Sequence, residues 1–178
     1  ADALTVPLEI FNAQLDALRA RGYESISFAE LLASGPLPSK PILLTFDDAY
    51  ADFEPFALES MRARKFKATV FLPVGHVGGE NAWDGGGEPL MNWDDLRRLG
   101  GPDVEWGLHS WNHDNYRNLD IEAMRNDLQR CRAKLREESV DFAEVLAYPY
   151  GGFPRTEPAR SDMKVMFRKE GLQLALRI

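Results

Sequence analysis

The sequence predicts an α/β fold in which parallel strands alternate with helices. Apolar runs of strand length, such as "ILLTF" at 42–46, are continuous rather than alternating, which is typical of strands covered on both faces. Between these runs lie segments whose apolar residues recur at spacings of three and four, the period of an amphipathic helix. Regular alternation of the two favours βα units, and therefore a largely parallel sheet or a barrel.

Local signals predict where each element begins and ends. The first helix, in "VPLEIFNAQLDALRARGY", ends near Gly22, and Ser27 with Glu30 forms a capping box at the start of the second. Asn92 and Asp120 are the expected N-caps of two later helices. After the second helix, the predicted elements are strand 42–46, helix 53–65, strand 68–74, helix 92–100, strand 104–110, helix 120–138, strand 143–151, helix 161–171 and strand 172–178.

Composition limits the classes of protein to which the chain can belong. Its 178 residues, 44% of them hydrophobic, suit one domain spanning residues 1–178. No apolar run approaches the roughly 18 residues that a membrane-spanning helix needs. A formal net charge of -7 argues against nucleic acid as a partner. Cys131 is the single cysteine, so the sequence predicts no intrachain disulfide and no cysteine-based metal site.

Chemically reactive residues gather where the predicted strands end. "TFDD" ends in Asp47 and Asp48, "GLHSWNH" carries a pair of histidines, and "AYPYG" ends in Pro149 and Tyr150. In parallel α/β folds the carboxyl ends of the strands open on one face, which carries the functional site. The predicted fold class alone therefore brings these three segments together.

His109 and His113 are candidate ligands of a divalent metal. If the chain turns helical after its strand, residues four apart have Cβ atoms about 5 to 6 Å apart on one face. Two histidines and one aspartate, with an open position, describe a catalytic metal site. Two surface histidines at a helix start are the alternative for "HxxxH" taken alone.

The adjacent carboxylates suggest a division of roles. Neighbouring side chains at a strand end point in different directions, so one can bind the metal while the other acts as a general base. An Asx turn or a helix cap is the alternative for "DD" alone. In "YPYGG", Gly151 and Gly152 would let the backbone approach a ligand, with N–H groups near a developing oxyanion. An ordinary turn is the alternative there.

The three motifs, in this order, resemble those of the polysaccharide deacetylase family, also called the NodB homology domain or carbohydrate esterase family 4. "TFDDAY" is similar to its first motif, "HSWNH" to its second, and "YPYG" to the core of its third. The resemblance implies a distorted or incomplete (β/α) barrel. The segment "EIFNAQLDALRARGYESISFAELL" before "LLTFDD" also resembles the branch that acts on poly-β-1,6-linked N-acetylglucosamine.

The resemblance implies a role for each matching residue. Asp47 would be the general base, while Asp48, His109 and His113 would hold Zn²⁺, with Co²⁺, Ni²⁺ or Mn²⁺ as alternatives. Tyr150 would supply a backbone N–H to the oxyanion. The implied reaction is hydrolysis of the acetamide of an N-acetylated sugar in a polysaccharide or oligosaccharide, at a location outside the cytoplasm or at the cell envelope.

Three positions depart from the family pattern. Ala49 stands where the family usually has Gly, a change that matters if a positive φ is required, and Ala147 stands where many members have Arg. The last family motif supplies a histidine as general acid, and no match to it precedes Ile178. We therefore expect a chain truncated at its C-terminus, or a leaving group protonated in another way. His76, in "PVGHVGG", lacks the motif context and is interpreted as a loop residue.

Aromatic side chains are the candidate contacts for sugar rings. Trp83, in the long loop of residues 75–91, and Trp111, between the two histidines, offer flat apolar faces, and Pro149 and Tyr150 lie beside the predicted site. Core packing is the commoner fate of a tryptophan.

Several functions fit the motifs. The sequence favours a metal-dependent N-deacetylase. The alternatives are an O-acetyl esterase of the acetylxylan type, a carbohydrate-binding homologue without turnover, and a receiver-like domain that binds Mg²⁺ at an acidic strand end.

Overall fold

The computed structural model describes residues 5–83 and 85–177, and its core is a curved half-barrel of parallel strands. The strands are β1 (Glu24–Ser25), β2 (Pro41–Ile42), β3 (Thr45–Phe46), β4 (Ala68–Leu72), β5 (Val104–Leu108), β6 (Val145–Ala147) and β7 (Leu174–Leu176). The main sheet has the order β3-β4-β5-β6-β7, and every neighbouring pair in it is parallel. The predicted fold class, a distorted (β/α) barrel, is confirmed.

The apolar run at 42–46 is divided between two sheets. Its first residue belongs to β2, which pairs with β1, whereas its last two form β3, which pairs with β4. The sequence predicts one strand here and gives no signal for β1. Apolar composition reports that a residue is buried, but it does not report which strand will be its hydrogen-bonding partner. At the other end of the chain, predicted strand 172–178 is shortened to β7, and Ile178 lies outside the described residues.

Helices cover the sheet, and those that follow Ser27, Asn92 and Asp120 begin where the sequence predicts. They are α1 (Leu8–Ala20), α2 (Phe28–Leu32), α3 (Glu59–Arg62), α4 (Trp93–Leu99), α5 (Ile121–Glu137) and α6 (Ala159–Lys169). Ser27 and Asn92 both form capping boxes, and the Asp120 carboxylate accepts a hydrogen bond from the backbone of Ala123. The predicted helix 53–65 is irregular, with a 3-10 turn and a π turn before α3.

The core lies between the sheet and its helices. All five residues of β4 are buried, as expected of a strand covered on both faces. Helix α5 turns Met124, Leu128, Cys131 and Leu135 into the same core. Among the described residues, no helix is long and apolar enough to span a membrane.

Gly107 in β5 marks how closely the core is packed beside the site. A Cβ at this position would lie 2.6 Å from the ring of Phe71 and 3.2 Å from Cγ2 of Val145. We expect Gly107→Ala to lower the free energy of unfolding by about 1 to 3 kcal/mol through overpacking, measured by denaturant unfolding. Gly35→Ala is the matched control, because nothing lies within 4 Å of its Cβ position. Equal effects of the two substitutions would contradict this account.

Candidate active site

Three strand ends bring the predicted residues together, as the sequence analysis expected. Asp47 and Asp48 follow β3, His109 follows β5, and Pro149 lies after β6. Oδ1 of Asp48 lies 3.5 Å from Nε2 of His109 and 3.2 Å from Nε2 of His113. The potential ligand atoms of these three residues all lie within 4.8 Å of one another.

An irregular loop, rather than a helical turn, brings the two histidines together. Ser110 and His113 have φ angles of 62° and 59°, in the left-handed region. Ser110 Oγ accepts a hydrogen bond from the backbone N–H of Asp114, at 2.7 Å, and closes the loop. The imidazole ring centroids lie 4.8 Å apart. Two left-handed residues in this loop thus bring the imidazoles as close together as a helical turn would.

His109 is neutral and turns an unprotonated nitrogen toward Asp48. Its Nδ1 lies 2.9 Å from the carbonyl oxygen of Ala147, which can only accept, so Nδ1 carries the proton. Burial lowers the pKa of His109 to about 4, against an opposing effect of Asp48. At neutral pH, Nε2 therefore presents a lone pair.

The cluster of Asp48, His109 and His113 fits a divalent cation. Oδ1 of Asp48 is buried and accepts no hydrogen bond from any described residue. A buried carboxylate oxygen that faces the lone pair of His109 is unfavourable unless a cation or a proton donor lies between them. Two imidazoles and one carboxylate are ligands suited to Zn²⁺ and related metals.

Asp47 has the electrostatics of a candidate base. Burial, and then the charge of Asp48, raise the pKa of Asp47 to about 7, while His113 acts in the opposite direction. Its Oδ1 is buried without a hydrogen-bond partner among the described residues. Asp47 is also one of the residues that line a groove of about 680 Å³, together with Phe46 and Phe53, whereas Asp48, His109 and His113 do not line it. A group of this kind can take up a proton at neutral pH.

The backbone around the first motif is strained. Asp48 and Ala49 have φ angles of 71° and 59°. Ala49 is thus a residue with a Cβ in a conformation that favours glycine, which answers the question raised by its departure from the family pattern. A left-handed residue other than glycine costs about 1 to 2 kcal/mol, and such strain is concentrated at functional sites.

The third motif forms a tight turn beside His113. Tyr150 has a φ of 58° and is 59% exposed, and its ring centroid lies 4.6 Å from that of His113. The N–H groups of Gly151 and Gly152 donate to the carbonyls of Tyr148 and Pro149 within the turn. Pro149 is buried. The roles predicted for Tyr150 and Pro149 stay predictions.

The two candidate tryptophans occupy different surroundings. Trp83 stacks on the ring of His113, with centroids 4.3 Å apart, and the ring of His76 meets its edge at 5.1 Å. Trp111 packs against Gly75, and the guanidinium of Arg130 lies 3.7 Å from its ring centre. Trp83 therefore adjoins the cluster directly, whereas Trp111 supports the loop that carries it.

Asp127 in α5 is a supporting residue that the sequence analysis missed. Its buried carboxylate accepts hydrogen bonds from the backbone N–H of Trp111 at 2.8 Å and from the hydroxyl of Tyr116 at 2.5 Å. It thereby ties the histidine loop to the core. The sequence does indicate that Asp127 is buried, because it lies three residues after Met124 and four before Cys131, on the apolar face of the helix.

The fold and the site together define an α/β protein with a candidate metal centre at the carboxyl ends of its strands. The family model described as polysaccharide deacetylase matches residues 34–164. The chain belongs to the polysaccharide deacetylase family. It is therefore a hydrolase of the deacetylase class, with a carbohydrate as its substrate.

Solved structures share the fold at low sequence identity. The Streptococcus pyogenes deacetylase PplD, in complex with acetate, is 19% identical over 100% of this chain and 75% of that one, with a TM-score of 0.81. IcaB from Ammonifex degensii is 23% identical over 99% of this chain and 78% of that one, with a TM-score of 0.82. A de-N-acetylase from Aggregatibacter actinomycetemcomitans is 17% identical over 93% of this chain and 77% of that one, with a TM-score of 0.76. No curated protein matches the chain significantly.

The raised pKa of Asp47 predicts a pH-dependent cost to stability. Between the unfolded pKa of about 3.9 and the folded value of about 7, the folded state holds a proton that the unfolded state has lost. Stability of the metal-free protein is therefore lost as pH rises through this window. We expect Asp47→Asn to stabilise the chelator-treated protein by about 1 to 3 kcal/mol more at pH 8 than at pH 5, measured by denaturant unfolding.

His109 has the opposite effect on stability, because its pKa is lower in the folded state than in the unfolded state. Since His109 is present in both the unchanged protein and Asp47→Asn, its contribution cancels when the two are compared. Asp94→Asn, at a side chain that is 90% exposed, is the control. A gain from Asp47→Asn that is the same at pH 5 and pH 8 would show that Asp47 does not titrate in this range.

Proposed function

We propose that this protein is a metal-dependent N-deacetylase that removes acetyl groups from N-acetylated sugars of a polysaccharide. The cluster of Asp48, His109 and His113, with Asp47 directly beside it, is the observation that carries this proposal. We further propose that residues 1–178 form a single polysaccharide deacetylase-like domain.

Three side chains would hold the metal, which we propose to be Zn²⁺. When bound, a divalent cation would supply a Lewis acid that polarises the acetyl carbonyl. The Nδ1 hydrogen bond to Ala147 keeps His109 in the tautomer that leaves Nε2 available. Asp48 contributes the negative charge that two neutral imidazoles lack.

Asp47 is the proposed general base. Its carboxylate lies next to Asp48 in the chain and interacts electrostatically with Asp48 and His113, so it can take a proton from a water molecule that attacks a substrate at the cluster. A cation held by its neighbour would lower the pKa of Asp47 from about 7 and keep the carboxylate ionised at neutral pH.

An amide substrate, rather than an ester, is supported by the name of one structural neighbour. The Aggregatibacter protein is described as a de-N-acetylase, although its likeness to this chain is one of fold. The exposed ring of Tyr150 beside His113 supports a sugar bound across the mouth of the site. A poly-β-1,6-linked N-acetylglucosamine chain stays the predicted substrate, and an O-acetylated polysaccharide is the alternative.

Metal removal tests the first part of the proposal. We expect a chelator to abolish acetate release and added Zn²⁺ to restore it, because the cluster supplies the ligands. His113→Ala and Asp48→Asn should each weaken Zn²⁺ binding at least about tenfold in calorimetry, since three protein ligands become two. Asp94→Asn should bind as the unchanged protein does. Full activity in the metal-free protein would contradict the proposal.

Acetate release from two substrates tests the second part. We expect release from N-acetylglucosamine oligomers and little from acetylated xylan, measured by an enzyme-coupled acetate assay. Asp47→Asn should reduce kcat by about 100-fold or more with metal binding retained, because it removes the proton acceptor. Activity on acetylated xylan alone would favour the esterase, and an undiminished Asp47→Asn variant would exclude Asp47 as the base.

A further inference from the structure

The two imidazoles of the cluster are oriented in different ways. His109 is held by the hydrogen bond from Nδ1 to the carbonyl of Ala147. Nδ1 of His113 is buried and has no hydrogen-bond partner within residues 5–83 and 85–177. A metal-binding histidine usually gives its second nitrogen to an acceptor, which fixes the ring. Among the described residues, the ring plane of His113 is therefore set by contacts other than a hydrogen bond at Nδ1.

Aromatic rings surround His113 instead. The indole of Trp83 stacks on its face at 4.3 Å and 18°, whereas the rings of Tyr150 and His109 meet it at steep angles, 4.6 and 4.8 Å away. Because the indole is stacked nearly parallel to the imidazole at this distance, a rotation of His113 about its ring torsion would drive the ring into Trp83. The imidazole is thus oriented by packing.

Trp83 can act as such a support because its loop has a hydrogen-bonded base. We call residues 75–83 and 85–91 the Trp83 loop. The buried side chain of Asn81 accepts from the N–H of Glu88 at 3.0 Å, and the N–H of Asn81 donates to the carbonyl of Glu88 at 3.0 Å. Closer to the ends of the loop, the N–H of Leu90 donates to the carbonyl of Gly79 at 2.9 Å. Trp83 therefore stands two residues beyond a fixed point.

The Trp83 loop is also joined to both segments that carry the cluster. The N–H of Met91 donates to the carbonyl of Ala49, directly after Asp48, at 2.9 Å. At the other end of the loop, the N–H of Gly75 donates to the carbonyl of Trp111 at 2.8 Å. The loop thus links the Asp48 turn to the histidine loop and places an indole on the second histidine.

We propose that Trp83 is a positioning residue, whose stacking on His113 fixes the plane of the imidazole and directs Nε2 toward Asp48 and the metal. The inference rests on the proposed metal centre. It gives Trp83 a role that differs from the sugar contact predicted from the sequence, because the indole face that meets His113 is not available to a substrate.

Metal binding in the absence of any sugar separates these two roles. We compare Trp83→Leu, which keeps apolar bulk without a flat ring, with Trp83→Phe, which keeps a ring. Trp93→Leu is the matched control, because Trp93 lies on α4, where Lys134 approaches its ring. Zn²⁺ affinity is measured by competition with a chromophoric chelator, and the coordination geometry by the visible absorption of the Co²⁺-loaded protein.

We expect Trp83→Leu to lose about 10- to 100-fold in Zn²⁺ affinity and to change the Co²⁺ spectrum. Trp83→Phe should recover most of the affinity, and Trp93→Leu should bind as the unchanged protein does. Thermal unfolding of each metal-free variant checks the fold, and Trp83→Met is the second non-aromatic variant if the leucine variant does not fold.

Unchanged Zn²⁺ affinity and an unchanged Co²⁺ spectrum in Trp83→Leu, with an increased KM, would overturn the proposal and make Trp83 a substrate contact. Failure of this proposal is distinguishable from failure of the proposed deacetylase function. A protein that binds Zn²⁺ but releases no acetate would contradict the function while leaving the effect of Trp83 on affinity measurable. A protein without Zn²⁺ affinity would contradict both.

Discussion

The buried carboxylate of Asp48, shared between two imidazoles, is the constraint on which the site depends. Its Oδ1 lies within 3.5 Å of both Nε2 atoms, yet it receives no hydrogen bond from the described residues. Since His109 is neutral, its Nε2 lone pair faces the Asp48 carboxylate, a position where a folded protein would normally place a hydrogen-bond donor. A divalent cation between these groups would make the arrangement favourable, which is why the cluster is a candidate metal site.

Holding this arrangement has a cost that the rest of the fold offsets. Asp47 is kept beside a second carboxylate in a buried position, and left-handed backbone occurs at Asp48, Ala49 and His113. Strain of this kind persists only where the surroundings over-determine it. Here the surroundings are β4, buried on both faces, and the Asp127 carboxylate, which fastens the histidine loop to α5. The site is thus stabilised by elements that take no part in its chemistry.

The sequence predicts the elements of the fold better than it predicts their pairing. Period and capping signals located α4 and α5, and the rule that parallel strands open on one face brought Asp48 and His109 together. The division of 42–46 between two sheets was not predictable, because apolar composition does not specify hydrogen-bonding partners. Nor was the loop between the histidines, since left-handed φ at Ser110 and His113 leaves no mark in residue type.

The two histidines therefore depend on different parts of the chain. His109 follows directly from a strand, and its partner is the backbone carbonyl of Ala147, which any residue at that position of β6 would supply. His113 depends on an indole from the Trp83 loop, which must have both the right length and the right side chain. Since loops vary more than the strands that they connect, proteins that share this half-barrel should retain the support of the first histidine more uniformly than that of the second. We therefore expect metal affinity to differ among them chiefly through the Trp83 loop.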